Sequence, residues 1–564
     1  MTVAMSATSP KPSPVELLKE RDPTLGGTIA QTLADPQADH FAEDDTTFLK
    51  THGVYQQDDR DLRKTGKKYI FMVRCRIPGG VLTPAQYLAC DDLARRYANN
   101  TLRVTSRQGL QFHGVVKGGL RALVKEINDA LLGTLAACGD NNRNVMAPPS
   151  PPMNKLGEQV LEHARQAAAA VLPRTQAYHS IWIEGVPLDL SDPANQDFVD
   201  PLYGKTYLPR KFKIAFVIPP LNDIDVFTNC CGFIAIGDGN SKLLGYNLTA
   251  GGGMGRSHGN VATFPRLADV IGFLPSEKAV EVAKAVLTIH RDFSDRSDRK
   301  HARLKYVLED RGVKWFREEL ERRLEFQLTA PMPFKFEKQG DAFGWNRQAD
   351  GRLFLGLFVE TGRIQDRDGW QMKKALRAVV AKYQPEIHLT PANNIILANL
   401  EAAQRDEITH LFAQHGVQTE LERQGSNLRR ASMACVSLPT CGLGLAESER
   451  YLPELITRLE GLLAEVGLGG QEITIRMTGC PNGCARPYMA EIGFVGKAPG
   501  RYQVWLGGNE ACTRLNRLYR DMVKDPDIIA ELRPLFARYA QERLAGERFG
   551  DWAARVLWPE QPAN

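Results

Sequence analysis

Four cysteines fall in two short stretches of the C-terminal region: Cys435 and Cys441 in "SMACVSLPTC", Cys480 and Cys484 in "GCPNGCARP". Thiolates are soft ligands that select zinc, copper(I) or iron–sulfur clusters, and four of them from two loops can enclose one centre. Structural zinc usually takes tighter C-x2-C pairs. C-x5-C with C-x3-C spreads the sulfurs as a cubane with four separate irons requires. Pro481 and Gly483 favour a turn whose backbone N–H groups point at sulfur. Cluster, zinc and plain buried thiols all stay open at this point, with the spacing favouring a [4Fe–4S] cluster. Cys75, Cys90, Cys138, Cys230, Cys231 and Cys512 form no paired spacing and read as core thiols.

A second set of residues is cationic. "YLPRKFKIAFVIPP" sets Arg210, Lys211 and Lys213 at the mouth of a strand, where alternation puts both lysines on one face. Arg74 ends another apolar strand, Arg103 and Arg107 flank a third in "LRVTSRQGLQFHG", and Arg143 lies in "NNRNVMAPP". A lone Lys or Arg is ordinarily a solvated surface charge. Each of these adjoins an apolar strand and a turn, and cations withdrawn from water need anions. A polycarboxylate cofactor and an anionic substrate would both suit such a lining.

The elements that must position these groups follow a repeated order. "KYIFMVRCRIPGG" reads as a strand running into a Gly-Gly turn, and "TPAQYLACDDLARRYAN" as a helix starting at Thr83-Pro84. "LRVTSRQGLQFHGVV" is strand again and "GGLRALVKEINDALLG" a second helix. Roughly 280 residues further on, "RLFLGLFVETGRI", "DGWQMKKALRAVVAKY", "EIHLTPANNIILANL" and "EITHLFAQHG" repeat strand, helix, strand, helix. A Pro-containing segment follows each copy, "NRNVMAPPSPP" and "SMACVSLPTC". Two related halves with loops facing a shared site are expected, against the alternative of two unrelated α+β domains.

Composition bounds the function. A chain of 564 residues is too long for one core and implies three or more domains. With 43% hydrophobic and 24% charged residues it reads as globular. "MTVAMSATSPKPSPVELLKE" has no apolar leader, and nowhere do about 18 apolar residues run together, so no membrane association and a cytoplasmic location are expected. Ten cysteines are too dilute for a disulfide scaffold and suit a reducing compartment. The net charge of +5 makes no case for nucleic acid.

"GDNNRNVMAPP", "TYLPRKFK", "CVSLPTC" and "TGCPNGCARPYMAEIGFVGKAPGRY" resemble the sirohaem and [4Fe–4S] sulfite and nitrite reductases, and the likeness runs from "HGVYQQDDRDLR" to "GERFGDW". The resemblance implies six-electron reduction of sulfite to sulfide in sulfur assimilation, with reduction of nitrite to ammonia as the alternative. A non-catalytic iron–sulfur or zinc protein is the contrasting class. The implied fold is α+β, a three-domain arrangement with an internal pseudo-two-fold repeat of two ferredoxin-like halves and two cofactor-binding α/β domains. Its expected boundaries are an N-terminal wrapping arm 1–65, a first half 66–135, a sirohaem-binding domain 136–350, a second half 351–421, and a cluster and sirohaem-binding domain 422–564.

By the same resemblance Cys435, Cys441, Cys480 and Cys484 ligate the cluster, and the Cys484 thiolate is also the axial ligand of the sirohaem iron. Arg74, Arg143, Lys211 and Lys213 fall at positions that bind sulfite and help supply protons, and Arg103, Arg107, Arg210 and Arg303 at positions that contact sirohaem carboxylates. Gly442 stands where relatives more often have proline and Ala485 where some have glycine, which touches loop stiffness but no ligand. "GGGMGRSHGN" at 251–260 lacks G-x-G-x-x-G, and close backbone approach to the haem edge is its better reading. With no nucleotide-binding loop, the chain is expected to take electrons from a separate protein, a flavoprotein or, on the likeness of "CARPYMAE", a ferredoxin.

Overall fold

Short runs of β-branched and aromatic residues broken by tight polar turns favour antiparallel sheets. The computed structural model, which describes residues 11–189 and 191–559, builds two such sheets alike. One has the strand order Val54–Asp58, Tyr69–Arg74, Leu110–Val115, Leu102–Val104, Arg363–Ile364, and the other Gly344–Arg347, Leu353–Leu357, Ile395–Leu400, Glu386–Leu389, Val81–Leu82. Every pairing is antiparallel. Arg363–Ile364 belongs to the second repeat and Val81–Leu82 to the first, so each sheet takes its outermost strand from the other. This exchange locks the two repeats in register.

The helices follow from local signals. Thr83 opens Pro84–Tyr97 with a capping box shared with Gln86, and Pro84 occupies the first helical position. That helix packs on Lys117–Asp129 and, across the repeat boundary, on Met372–Tyr383. There the buried Asp91 is held by Lys373 and Arg377, each at 2.7 Å.

Two further sheets repeat one another. Ile214–Val217 runs parallel to Cys231–Gly237, which is followed by antiparallel Leu243–Ala250 and Asp269–Pro275 and the helix Ala279–Phe293. Ile475–Thr478 runs parallel to Ile492–Ala498, followed by antiparallel Arg501–Leu506 and Arg517–Lys524 and the helix Ile528–Glu542. In the second copy Ser432–Ala434 adds a parallel strand beside Ile475. The first copy has only parallel bridges from Asn142 and Met146 to Phe212 and Ala215 in that place. The result is the expected α+β fold with an internal two-fold repeat.

Two features differ from what composition suggests. The Pro-rich N-terminal stretch carries the helices Pro14–Arg21, Ile29–Ala34 and Glu43–Thr51, and then supplies the edge strand Val54–Asp58 of the first sheet. Its helices lie on the unit that contains Arg296 and Leu208, through Ser13 N–H to the Arg296 carbonyl and Lys19 Nζ to the Leu208 carbonyl. The glycine-rich loop 251–256 follows a strand but opens no helix, the next element being Asp269–Pro275. Among the described residues no helix is long and apolar enough to cross a membrane.

The cysteine turns leave the same edge of the second repeated sheet. Cys435 follows Ser432–Ala434 and Cys480 follows Ile475–Thr478, so both sit at the carboxyl ends of neighbouring parallel strands, where α/β sheets commonly bind ligands. Gly479 between strand and turn is packed too tightly for a side chain. A Cβ there would lie 1.6 Å from Ser437 Oγ and 2.4 Å from the Ala446 carbonyl. Replacing Gly479 with Ala is therefore expected to force the two cysteine loops apart, so that purified protein holds well under half the iron and acid-labile sulfide of the wild type. Full iron and sulfide content in that variant would show that the loops have slack the packing denies.

Candidate active site

The four thiols gather from two loops into one neighbourhood. Burial raises the pKa of Cys435, and the charges of Cys484, Cys480 and Cys441 add to it. Burial, then Cys484, pushes Cys480 up to about 12. Such thiols resist ionisation unless a metal compensates the charge. Donors are already aimed at them: Gly479 N–H lies 3.4 Å from Cys435 Sγ and Asn482 Nδ2 3.5 Å from Cys480 Sγ. Among the described residues no three ligating side chains converge as a single-ion site needs. A cubane, which spreads four irons over the space between the thiols, suits this spacing better than one zinc ion.

Cys484 is exposed, and the groups it faces are cations. Arg74, at the end of Tyr69–Arg74, senses the thiols of Cys138, Cys484 and Cys441 against the burial that works on its charge. Its Nη1 lies 3.0 Å from Cys138 Sγ, and the Gln111 amide oxygen, turned inward, accepts from its Nη2 at 2.6 Å. Lys211 and Lys213 lead into Ile214–Val217 on either side of Phe212, which is fully buried and stacks on His290 at 5.7 Å. Both lysines keep some accessible area, yet each lies deep enough that burial dominates its proton affinity. Burial, then Arg303 and Arg210, lowers Lys211 to about 7. Burial, then Arg107 and Lys211, takes Lys213 well below the usual lysine range. Among the described residues neither lysine has an ion-pair partner.

Arg143 is buried in the loop beside Phe212 and gives its guanidinium to the Gly139 carbonyl at 2.9 and 3.1 Å. Arg107, in the turn between Leu102–Val104 and Leu110–Val115, donates to Asn229 Oδ1 and to the Asn144 and Ile214 carbonyls, and burial lowers it to about 9. Arg303 caps the helix Leu304–Arg323 and reaches Cys230 Sγ at 3.5 Å. Arg210 lies 4.0 Å from Asp140, and burial lowers it to about 10. Arg103 is differently engaged. Its guanidinium holds Glu449 at 2.9 Å and the Ala434 carbonyl at 2.8 Å, next to Cys435, and Arg363 shares the same Glu449. The structure thus brings Arg74, Arg107, Arg143, Arg210, Lys211, Lys213 and Arg303 together in one cleft beside the thiols, and sets Arg103 against Cys435.

Several supporting residues carry no sequence signal of their own. Asp225 is buried between Arg476, 2.7 Å away, and Arg486, two residues past Cys484. Burial alone would raise its pKa, but the two guanidinium groups overcome this and hold it at about 2. This carboxylate ties the cysteine-bearing repeat to the lysine-bearing one. Ser106 Oγ donates to the Cys484 carbonyl at 2.9 Å. Arg256 N–H donates to the Pro481 carbonyl at 2.9 Å, so the glycine-rich loop closes on the second cysteine turn. Lys305 steadies that loop through the Gly253, Gly255 and Phe264 carbonyls.

These residues fit an anionic group of several carboxylates. Among the described residues the buried Nε atoms of Arg107 and Arg303 have no partner, and both amide atoms of Asn141 are likewise unpaired. Burial of this much positive charge without carboxylates is costly unless an anion joins it. The donor set therefore suits a polycarboxylate macrocycle over the thiols and a small oxyanion beyond it.

Comparison with known proteins agrees with this reading. The family described as "Nitrite/Sulfite reductase ferredoxin-like half domain" matches residues 63–130 and 346–415, the two exchanged sheets and their helices. "Nitrite and sulphite reductase 4Fe-4S domain" matches residues 163–328. The four cysteines lie outside that match, in the second copy of the same strand order. A protein of Myxococcus xanthus named "Sulfite reductase [NADPH] hemoprotein beta-component" is 48% identical over 98% of both chains. Proteins of the same name from Lysinibacillus sphaericus and Geobacillus kaustophilus are each 46% identical over 98% of this chain and 97% of theirs. The solved structure of Mycobacterium tuberculosis NirA protein shares the fold, with a TM-score of 0.79 and 24% identity over 97% of both chains. With both repeats matched and near-full-length identity to such relatives, the chain belongs to the nitrite and sulphite reductase family.

Proposed function

We propose that this chain is the haemoprotein component of a sulfite reductase, reducing sulfite to sulfide with electrons from a separate flavoprotein. The observation that carries the reading is a cleft in which the half-buried Lys211 and Lys213 have no ion-pair partner among the described residues, beside four clustered thiols, in a chain that matches relatives of that name over 98% of its length. Sirohaem and a [4Fe–4S] cluster, when bound, supply single electrons to the substrate sulfur. Cys435, Cys441, Cys480 and Cys484 would hold the cluster, and Cys484, the exposed thiol of the four, would be the one shared with the sirohaem. Arg107, Arg210 and Arg303 receive sirohaem carboxylates. Arg103 contributes by fixing the strand end at Cys435 through the Ala434 carbonyl and Glu449.

Arg74, Arg143, Lys211 and Lys213 bind the oxyanion. In a cleft of low dielectric their charges stabilise electron density as it accumulates on the substrate. Reduction of a sulfur oxyanion also consumes protons, since each oxygen leaves as water. Lys211, lowered to about 7, can give up a proton and regain it near neutral pH. The ten unpaired cysteines suit a reducing cytoplasm.

The flavoprotein follows from electron bookkeeping. NADPH gives up a hydride, whereas a haem and a cluster take electrons singly, so a flavin must divide the pair. The glycine-rich loop 251–256 opens no helix and so lacks the strand-turn-helix that dinucleotide binding requires. The reading is tested by assaying cofactor-loaded protein with a reduced viologen dye on sulfite and on nitrite. Sulfide formed in proportion to dye oxidised, with sulfite preferred in kcat/KM, supports it. A preference for nitrite assigns the chain to the other branch of the family.

Two outcomes follow. Lysine is cationic below its pKa, so the wild-type kcat/KM should fall as pH rises through about 7, where Lys211 loses its proton. Lys211→Met should lower kcat/KM by about 100-fold and flatten that limb. Nitrite, which does not titrate there, separates the lysine from sulfite's own ionisation, and a wild-type profile in the variant would remove Lys211 from proton supply. Loaded protein mixed with NADPH and sulfite should form no sulfide until a flavoprotein reductase is added. Sulfide formed without flavin would contradict the separate donor, and rates supported by reduced ferredoxin alone would put ferredoxin in its place.

A further inference from the structure

A cavity of about 100 Å³ lies against two of these cations, Arg143 and Arg210. Its walls include Lys19, Lys50, Tyr55, Arg143, Arg210 and Arg299, with Asp140 as the lining carboxylate. The N-terminal arm forms much of one side through Val15, Lys19 and Leu25, and the helix Glu43–Thr51 adds Thr47 and Lys50.

The charges of this cavity do not cancel. Asp140 is fully engaged: Arg299 holds both its oxygens at 2.7 and 2.8 Å, Lys19 lies 3.6 Å away and Arg210 4.0 Å. Lys19 is also paired with Glu16 at 2.5 Å. Arg143 spends its guanidinium on backbone carbonyls. The Lys50 ammonium has no hydrogen bond or ion pair among the described residues, and burial, then Arg299, lowers its pKa. A polar cavity lined by cations, one of them without any partner, is a site for a small anion.

The cavity also joins the proposed substrate site. Arg143 and Arg210 line it and also act on Lys211, and the Tyr55 ring lies 6.0 Å from the Arg74 guanidinium. We propose that this cavity is a vestibule in which a small oxyanion is held on its way to Arg74, Lys211 and Lys213, with Lys50 as the side chain that draws it in. The N-terminal arm then has a task, since it roofs the cationic passage and keeps its field out of bulk water, where salt would screen it. The inference rests on the reading of the chain as an oxyanion reductase, and a carboxylate of the cofactor is the competing occupant.

The test uses cofactor-loaded Lys50→Gln, Lys50→Arg and Thr47→Asp. Thr47→Asp sets a negative charge on the cavity wall and leaves Lys50 in place, so it carries the test if Lys50→Gln does not fold. The readouts are sirohaem and iron per chain, and the rate at which the visible spectrum responds to added sulfite across ionic strength. The vestibule predicts that Lys50→Gln and Thr47→Asp slow the response at least about fivefold at low salt and lose much of the salt dependence. Lys50→Arg should restore both, and cofactor content should stay unchanged. An unaltered rate overturns the proposal. A fall in sirohaem content in Lys50→Gln overturns it too, because Lys50 would then serve the cofactor. The same slowing with nitrite in a chain that ignores sulfite would uphold the vestibule while refuting the sulfite reading.

Discussion

A lysine or arginine taken out of water without a partner costs several kcal/mol in effective terms, and this chain gathers such groups where its repeats meet. Among the described residues Lys211 and Lys213 have no ion-pair partner, and Arg107 and Arg303 keep buried Nε atoms unsatisfied. The carboxylates nearby are committed elsewhere: Asp140 to Arg299, Asp225 to Arg476 and Arg486, Glu449 to Arg103 and Arg363. Positive charge is thus left over in one cleft, and Cys435, Cys441 and Cys480, thiols that resist ionisation, lie against it. Each half of this arrangement is unfavourable alone. An anionic macrocycle and an iron–sulfur cluster would relieve both.

Duplication explains how one chain builds such a cleft. The exchanged strands fuse two small sheets into one base, from which Arg74, Arg103 and Arg107 project toward the centre. The two larger repeats share strand order but divide the chemistry. One carries Arg143, Arg210, Lys211, Lys213 and Arg303, and the other carries all four thiols. Asp225 sits on the first and clamps Arg476 and Arg486 of the second, which fixes Cys484 relative to the lysines.

Much of this was legible in the sequence because periodicity and cysteine spacing are local. The strand and helix runs around Tyr69–Val115 and Leu353–Gln414 were readable as repeats, and Lys211 and Lys213 declared a shared face by alternating with Phe212. The exchange of Val81–Leu82 and Arg363–Ile364 was not readable, since a two-residue strand has no period and its partner lies far off in the chain. The second repeated pair was hidden because its parallel strands are buried on both faces and show no alternation, as in Ile214–Val217 and Ile475–Thr478. The N-terminal stretch was expected as a wrapping arm, but its helices are short and were not readable one by one. Asp225 and Lys50 were silent because a single charge tells nothing about its neighbours until the fold supplies them.

The claim that the half-buried lysines are held for an anion can be tested on the protein without its cofactors. A lysine whose folded pKa is lowered destabilises the fold fully below that pKa, where it is charged, and the penalty fades as pH rises from there to the ordinary lysine pKa of about 10.4. Thermal midpoints of cofactor-free wild type and Lys211→Met/Lys213→Met should therefore be compared at about pH 6 and about pH 9. The double variant should melt higher than wild type at the lower pH, with the gap narrowing at the higher one. A double variant that melts lower at both would mean that the lysines stabilise the empty protein, and the account of the cleft would fail.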